Sequence, residues 1–217
     1  MAAEILALWR HGGIADHRLR DEVLWATREH DNGWREADAC PLPNDDRGLV
    51  DFAAVPDTLR QQIWLRGTTR YVNQRPLESL LILKHNRDLH EQHRGQPDWI
   101  EFFQQLDELH EQLRESQTDW QDICSLYPHL QRVDTVSLAL CQELESAQLP
   151  GDYALHRISE TGAEVSTFRL TPFPFAGATR FRIAVRWLPK KHWSSSAELT
   201  SALARSHWKN HEFLLQP

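Results

Sequence analysis

Apolar residues return at helical spacing through the first two thirds of the chain, then cluster and alternate as strands do. Ala2–Trp9 is apolar enough for a buried helix, which Gly12-Gly13 ends. A second helix is predicted from about Asp16 to Asp31, with Leu19, Val23, Leu24 and Thr27 on one face and Gly33 as a left-handed cap. Residues 37–52, ADACPLPNDDRGLVDF, read as a loop because two prolines, the Asn-Asp-Asp run and Gly48 break any period. Further helices are predicted over Thr58–Asn73 and Leu77–His93, the second carrying the apolar run LLILKH at 80–85. GQP at 95–97 breaks the chain, Asp98 caps a polar helix Trp99–Ser116, and a last long helix runs on from about Trp120. Leu130, Val133, Ser137, Leu140, Cys141 and Leu144 form its buried stripe.

Pro150-Gly151 marks a change. ALHRI, EVSTFRL and TRFRIAVRW read as strands, and EFLLQ at the end as one more. Ser195 with Glu198 three residues on is a capping box for a short helix to about Ser206. The expected fold is mainly α: a helical body over 1–149 with a small strand-containing α/β appendage over 150–217.

Charge removes one class of function. There are 31 acidic and 24 basic residues, a formal charge of -7, which argues against nucleic acid as a partner. Lys190-Lys191 reads as solvated surface. No apolar run is long enough to span a bilayer, and MAAEILALWRHGG does not read as a secretory signal. Cys40, Cys124 and Cys141 form no CxxC pair; Cys124 and Cys141 read as buried thiols, which suits a reducing cytoplasm. GxGxxG, Walker, HExxH and GxSxG motifs are absent.

The chemistry concentrates in REHDNGWRE, 28–36. His30 and Asp31 fall in the last turn of the second helix, where unpaired carbonyls make a carboxylate unfavourable unless a cation compensates it. Asp134 interrupts an apolar stripe in VDTVSLALC, and His85 ends LLILKH. Buried polar groups of this kind need partners. His30, Asp31, His85 and Asp134 come from three helices, and helix packing builds metal sites in this way. Imidazole plus carboxylate suits a divalent ion such as iron or manganese. Taken singly, each residue has a plain reading: His30 packs locally and Asp31 is solvated. His90, His93 and His110 read as an exposed polar face. Trp34 reads as a cover for the helix end or a pocket wall, and Lys84 as a solvated side chain or a neutraliser of substrate charge.

The His, His-Asp, Asp pattern resembles the HD superfamily of metal-dependent phosphohydrolases. More closely, the chain resembles an uncharacterised bacterial family known as domain of unknown function 3891. REHDNGWRE, GLVDF at 48–52, LLILKH, VDTVSLALC and TPFPF at 171–175 carry that resemblance. It implies an HD-like helical bundle. His30, Asp31 and Asp134 would hold a divalent metal (iron, manganese or magnesium), and His85 would add a ligand or touch phosphate. Metal-activated water would then hydrolyse a small phosphoester, nucleotides included. Two departures stand out. Leu-Lys-His replaces Ser-Leu-His at 83–85, and no histidine precedes Trp9, where these families take a first ligand; a shortened start is the expected reason. The alternative is a non-catalytic module whose degenerate site binds a ligand or partner.

Overall fold

A computed structural model describes residues 1–44, 48–160 and 164–217. Its helices are α1 (Ala2–Leu8), α2 (Arg20–Glu29), α3 (Arg35–Ala39), α4 (Asp57–Thr69), α5 (Pro76–His90), α6 (Ile100–Ser116), α7 (Trp120–Ser125), α8 (Tyr127–Cys141) and α9 (Ser196–Arg205). Its strands are β1 (Ser146–Leu149), β2 (Tyr153–Arg157), β3 (Val165–Thr171), β4 (Thr179–Arg186) and β5 (Trp208–Gln216). The strands form one mixed sheet in the order β1-β2-β3-β5-β4, with β3 and β5 parallel and the other pairs antiparallel.

The expected helical bundle with a small appendage is therefore wrong: the protein is a mixed α/β fold. Helices and sheet share one core. Leu6, Val23, Ile82, Val133 and Leu140 from the helices lie in the same buried cluster as Leu155, Phe168, Leu170, Phe213 and Leu215 from the strands. Two features hid the sheet in the sequence. β1 is four residues long and only Leu149 in it is buried. β5 begins with the exposed Trp208, Lys209 and Asn210, and its central place depends on pairing with β3, across some forty residues. Long-range pairing leaves no local periodicity to read.

Local chemistry explains most element limits. α5 holds Leu80, Leu81, Ile82 and Leu83 fully buried, as a helix surrounded on all sides must. The expected last helix divides at Leu126, and Pro128 opens the first turn of α8. The Ser195 hydroxyl accepts the Glu198 backbone N–H, and Glu198 accepts the Ser194 N–H in return. Asp98, expected to cap α6, makes no cap bond; Trp99 occupies that position and Pro97–Trp99 forms a 3-10 turn. The loop after α3 joins Pro43 to Leu49 by a bridge, and Asp45 and Asp46 of its polar run lie outside the described residues. TPFPF ties helix to sheet: the Arg10 N–H donates to the Pro174 carbonyl, and Phe175 packs edge-on to Trp9.

Gly33 does not take the positive φ of Gly12, Gly13, Gly95 and Gly151, so it is no left-handed cap. Its reason is closeness. A Cβ there would sit 2.1 Å from the Ile63 carbonyl oxygen and 3.1 Å from the Gly67 nitrogen, and a Cβ on Gly67 would meet Gly33 backbone atoms at 3.0 and 3.2 Å. Two glycines let the end of α2 rest on the backbone of α4. Because the clash is with backbone, Gly33→Ala is expected to cost about 3 kcal/mol or more. Urea unfolding of the full chain measures it; a loss within experimental error would refute the close approach.

Candidate metal centre

The 28–36 stretch is built so that each side chain fixes its neighbours. Glu29 is buried and accepts from the Arg35 guanidinium at 2.6 Å. Asn32 donates to the Glu29 carbonyl at 2.7 Å and to the Gly67 carbonyl at 2.9 Å, locking the turn to α4. Glu36 pairs with Arg70 and Arg66. Trp34 stands edge-on to Trp64, ring centres 6.3 Å apart. The turn therefore holds His30 rigidly at the end of α2.

His30 donates its Nδ1–H to the Thr27 carbonyl at 2.7 Å. That bond settles the tautomer. The other nitrogen, Nε2, faces Asp134 Oδ1 and Asp31 Oδ2, each 3.1 Å away. A neutral His30 would turn a lone pair toward two carboxylates. The arrangement needs a positive charge, either a second ring proton or a cation. Burial opposes charge on His30, but the two carboxylates outweigh it and raise its pKa well above the ordinary value. The protein packed beside Asp31 displaces part of its water and opposes its charge, yet His30 beside it holds that carboxyl below the usual range.

His85, from the middle of α5, completes the cluster. It is buried, its ring is 5.1 Å from that of His30, and its Nε2 lies 3.8 Å from Asp134 Oδ2. That Nε2 has no hydrogen-bond partner. Nδ1 lies 3.3 Å from the Tyr127 hydroxyl. With its proton on Nδ1, His85 donates to Tyr127 and presents a bare lone pair beside Asp134. Burial first, then the His30 charge, push its pKa down to about 4. Burial, then the charges of Asp88 and Asp134, keep the Tyr127 phenol protonated.

One ligand atom each from His30, His85 and Asp134 lies within 4.8 Å of the others. All three residues are buried, as a protein-held metal centre requires. Each histidine anchors its other nitrogen, His30 on a carbonyl and His85 on a phenol, the outer contacts that orient metal-bound imidazoles. Two imidazoles and a carboxylate fit a transition metal. Asp31 stands at the edge: its side chain is 52 % exposed against 9 % for Asp134, so the cluster opens to water on the Asp31 side.

The other candidates lie elsewhere. Lys84 pairs with Asp88 at 3.1 Å and lies over the Tyr127 ring, one layer behind His85. His90 is not on an exposed face but buried against Trp99, and His93 stacks on the same indole at 4.4 Å. His11 bonds Tyr153 and His17 faces Asp122. Cys141, expected to be buried, is exposed, and Cys124 is partly so. Tyr127 and Thr27 were missed. Tyr127 stands seven residues, two helical turns, before Asp134, so it shares that face; the spacing was a usable signal.

The fold and the cluster together define a mixed α/β protein with a buried centre of two histidines and one carboxylate. Its sequence matches the family described as "Protein of unknown function (DUF3891)" over residues 1–190, and the chain belongs to that family. Comparison with curated proteins and with solved structures gave no match. Among the described residues no helix is long and apolar enough to cross a membrane.

The histidines give opposite pH dependences in the metal-free protein. The raised His30 pKa contributes stability that is full below about 6.5 and fades as pH climbs through the folded value. The lowered His85 pKa acts the other way: between about 6.5 and about 4 the unfolded chain takes a proton that the folded one refuses, so stability drops as pH is lowered through that range. In His85→Gln this acid slope is expected to shrink by up to about 1.4 kcal/mol per pH unit. Unfolding free energies from pH 4.5 to 7 with chelator present check it, and an unchanged slope would refute a neutral buried His85.

Proposed function

We propose that the protein is a metal-dependent phosphohydrolase using the ligand chemistry of HD-type enzymes. The supporting observation is the convergence of His30, His85 and Asp134 from three helix segments, with His85 Nε2 buried and unpartnered. The donor set favours iron or manganese over magnesium, which prefers oxygen ligands throughout. A divalent ion held there supplies Lewis acidity toward water and a phosphoryl oxygen. The chain's own groups provide the rest. Thr27 and Tyr127 keep the two imidazoles aimed. Asp134 balances charge in a buried setting, and Asp31, the group solvent reaches, orients water at the mouth by accepting its hydrogen bond. In the net step a water oxygen bonds to phosphorus, the ester P–O bond breaks, and the water's proton leaves with the alcohol.

A ligand-binding module without catalysis is the second reading. One observation favours it: a protonated His30 can donate toward both Asp31 and Asp134, each 3.1 Å from its Nε2, without any ion. Elemental analysis of purified protein, paired with a phosphoester panel, separates the two. The hydrolase reading expects a stoichiometric transition metal, lost in His30→Ala and Asp134→Ala, with hydrolysis falling roughly 100-fold or more. Metal content and hydrolysis unchanged in both variants would sink that reading. Metal retained with no ester cleaved favours the module.

A further inference from the structure

A cleft of about 890 Å³ opens between the α2–α4 segment and the outer end of β4. That volume suits a small organic ligand. Trp34, Phe52, Trp187 and Trp208 line it. Trp187 and Trp208 stay 65 % and 63 % exposed, and Phe52 46 %, a concentration of bare aromatic surface that a ligand would cover favourably. The two arginines of the described wall are engaged. Arg66 pairs with Glu36 and donates to the Gly33 carbonyl; Arg186 donates to the Leu203 carbonyl and lies over Trp208.

Two residues of the cleft wall neighbour the metal centre. Asp38 lines it and lies close enough to Asp31 for the two carboxylates to repel. Trp34 lines it too and packs on Trp64, which in turn packs on His85. The ring-lined cleft thus adjoins the exposed Asp31 edge of the cluster through Asp38, and the carboxylates at that edge disfavour highly charged anions.

We infer that the cleft binds the aromatic or otherwise ring-bearing apolar group of a small phosphomonoester, whose single phosphoryl group points to the Asp31 edge. The phosphoryl half of this assignment rests on the hydrolase reading; the ring half does not. Hydrolysis would break the ester P–O bond, join a water oxygen to phosphorus, and release the ring alcohol carrying the proton.

The experiment measures the halves separately. 1-Naphthol is titrated calorimetrically into the full chain after chelator treatment. Metal-loaded protein is then given 1-naphthyl phosphate or glycerol 3-phosphate. Trp187→Ala and Trp208→Ala alter exposed side chains. Each is expected to weaken naphthol binding roughly tenfold and to raise KM for naphthyl phosphate alike with kcat kept. Glycerol phosphate, which has no ring, is expected to show kcat/KM roughly tenfold lower or less. Naphthol binding unmoved by both variants, or equal kcat/KM for the two esters, overturns the inference. If neither ester is cleaved while naphthol binding remains sensitive to the variants, the hydrolase reading and the phosphoryl half fall, and the ring site stands.

Discussion

A carboxylate inside a helix core constrains this protein more than any other group. Asp134 lies on α8 among Leu130, Val133 and Val136, which are fully buried. An isolated charge there would be very costly. It is tolerated because His30, whose charge the carboxylates favour, meets it at 3.1 Å. That requirement fixes where α2 ends and how α5 passes α8. It also explains the Gly33–Gly67 contact, since the turn after His30 must lie against α4 for the histidine to be aimed inward.

Around this charged centre the apolar architecture is rigid. The middle of α5 is buried, with Leu81 and Ile82 in the main core and Leu80 and Leu83 against α6. The sheet closes the opposite side of that core through Leu155, Phe168, Leu170 and Phe213. Arg132 is held between Trp9 and Tyr153 and donates to the Pro150 carbonyl, joining α1, α8 and the β1–β2 turn. The histidines thus stand on well-packed elements, which preserves the geometry a metal site needs.

Local features of the site were legible in the sequence. REHDNGWRE carries a helix end, two charged candidates and a turn within nine residues, all set by near-neighbour chemistry. Asp134 and His85 betrayed themselves as polar residues in apolar runs, because burial leaves a pattern in composition. The role of Gly33 was misread, since a glycine needed for a positive φ and one needed for a close neighbour look alike in a string of letters. His90 was misread likewise: its polar surroundings along the chain conceal the Trp99 ring that covers it.

The sequence by itself determined the longer helices apart from the break between α7 and α8, three of the sheet's strands nearly whole, the Ser195 cap and the four polar residues of interest, because each rests on interactions within a few residues; it did not show α3, which lies partly in the stretch expected to be loop. Tertiary structure alone decided that β1 and β5 complete a mixed sheet, that helices and sheet share one core, and that His30, His85 and Asp134 come together while Asp31 keeps to the edge. Those outcomes depend on contacts between residues a hundred or more positions apart, and the preferences of neighbouring residues carry no information about which distant surfaces will pack.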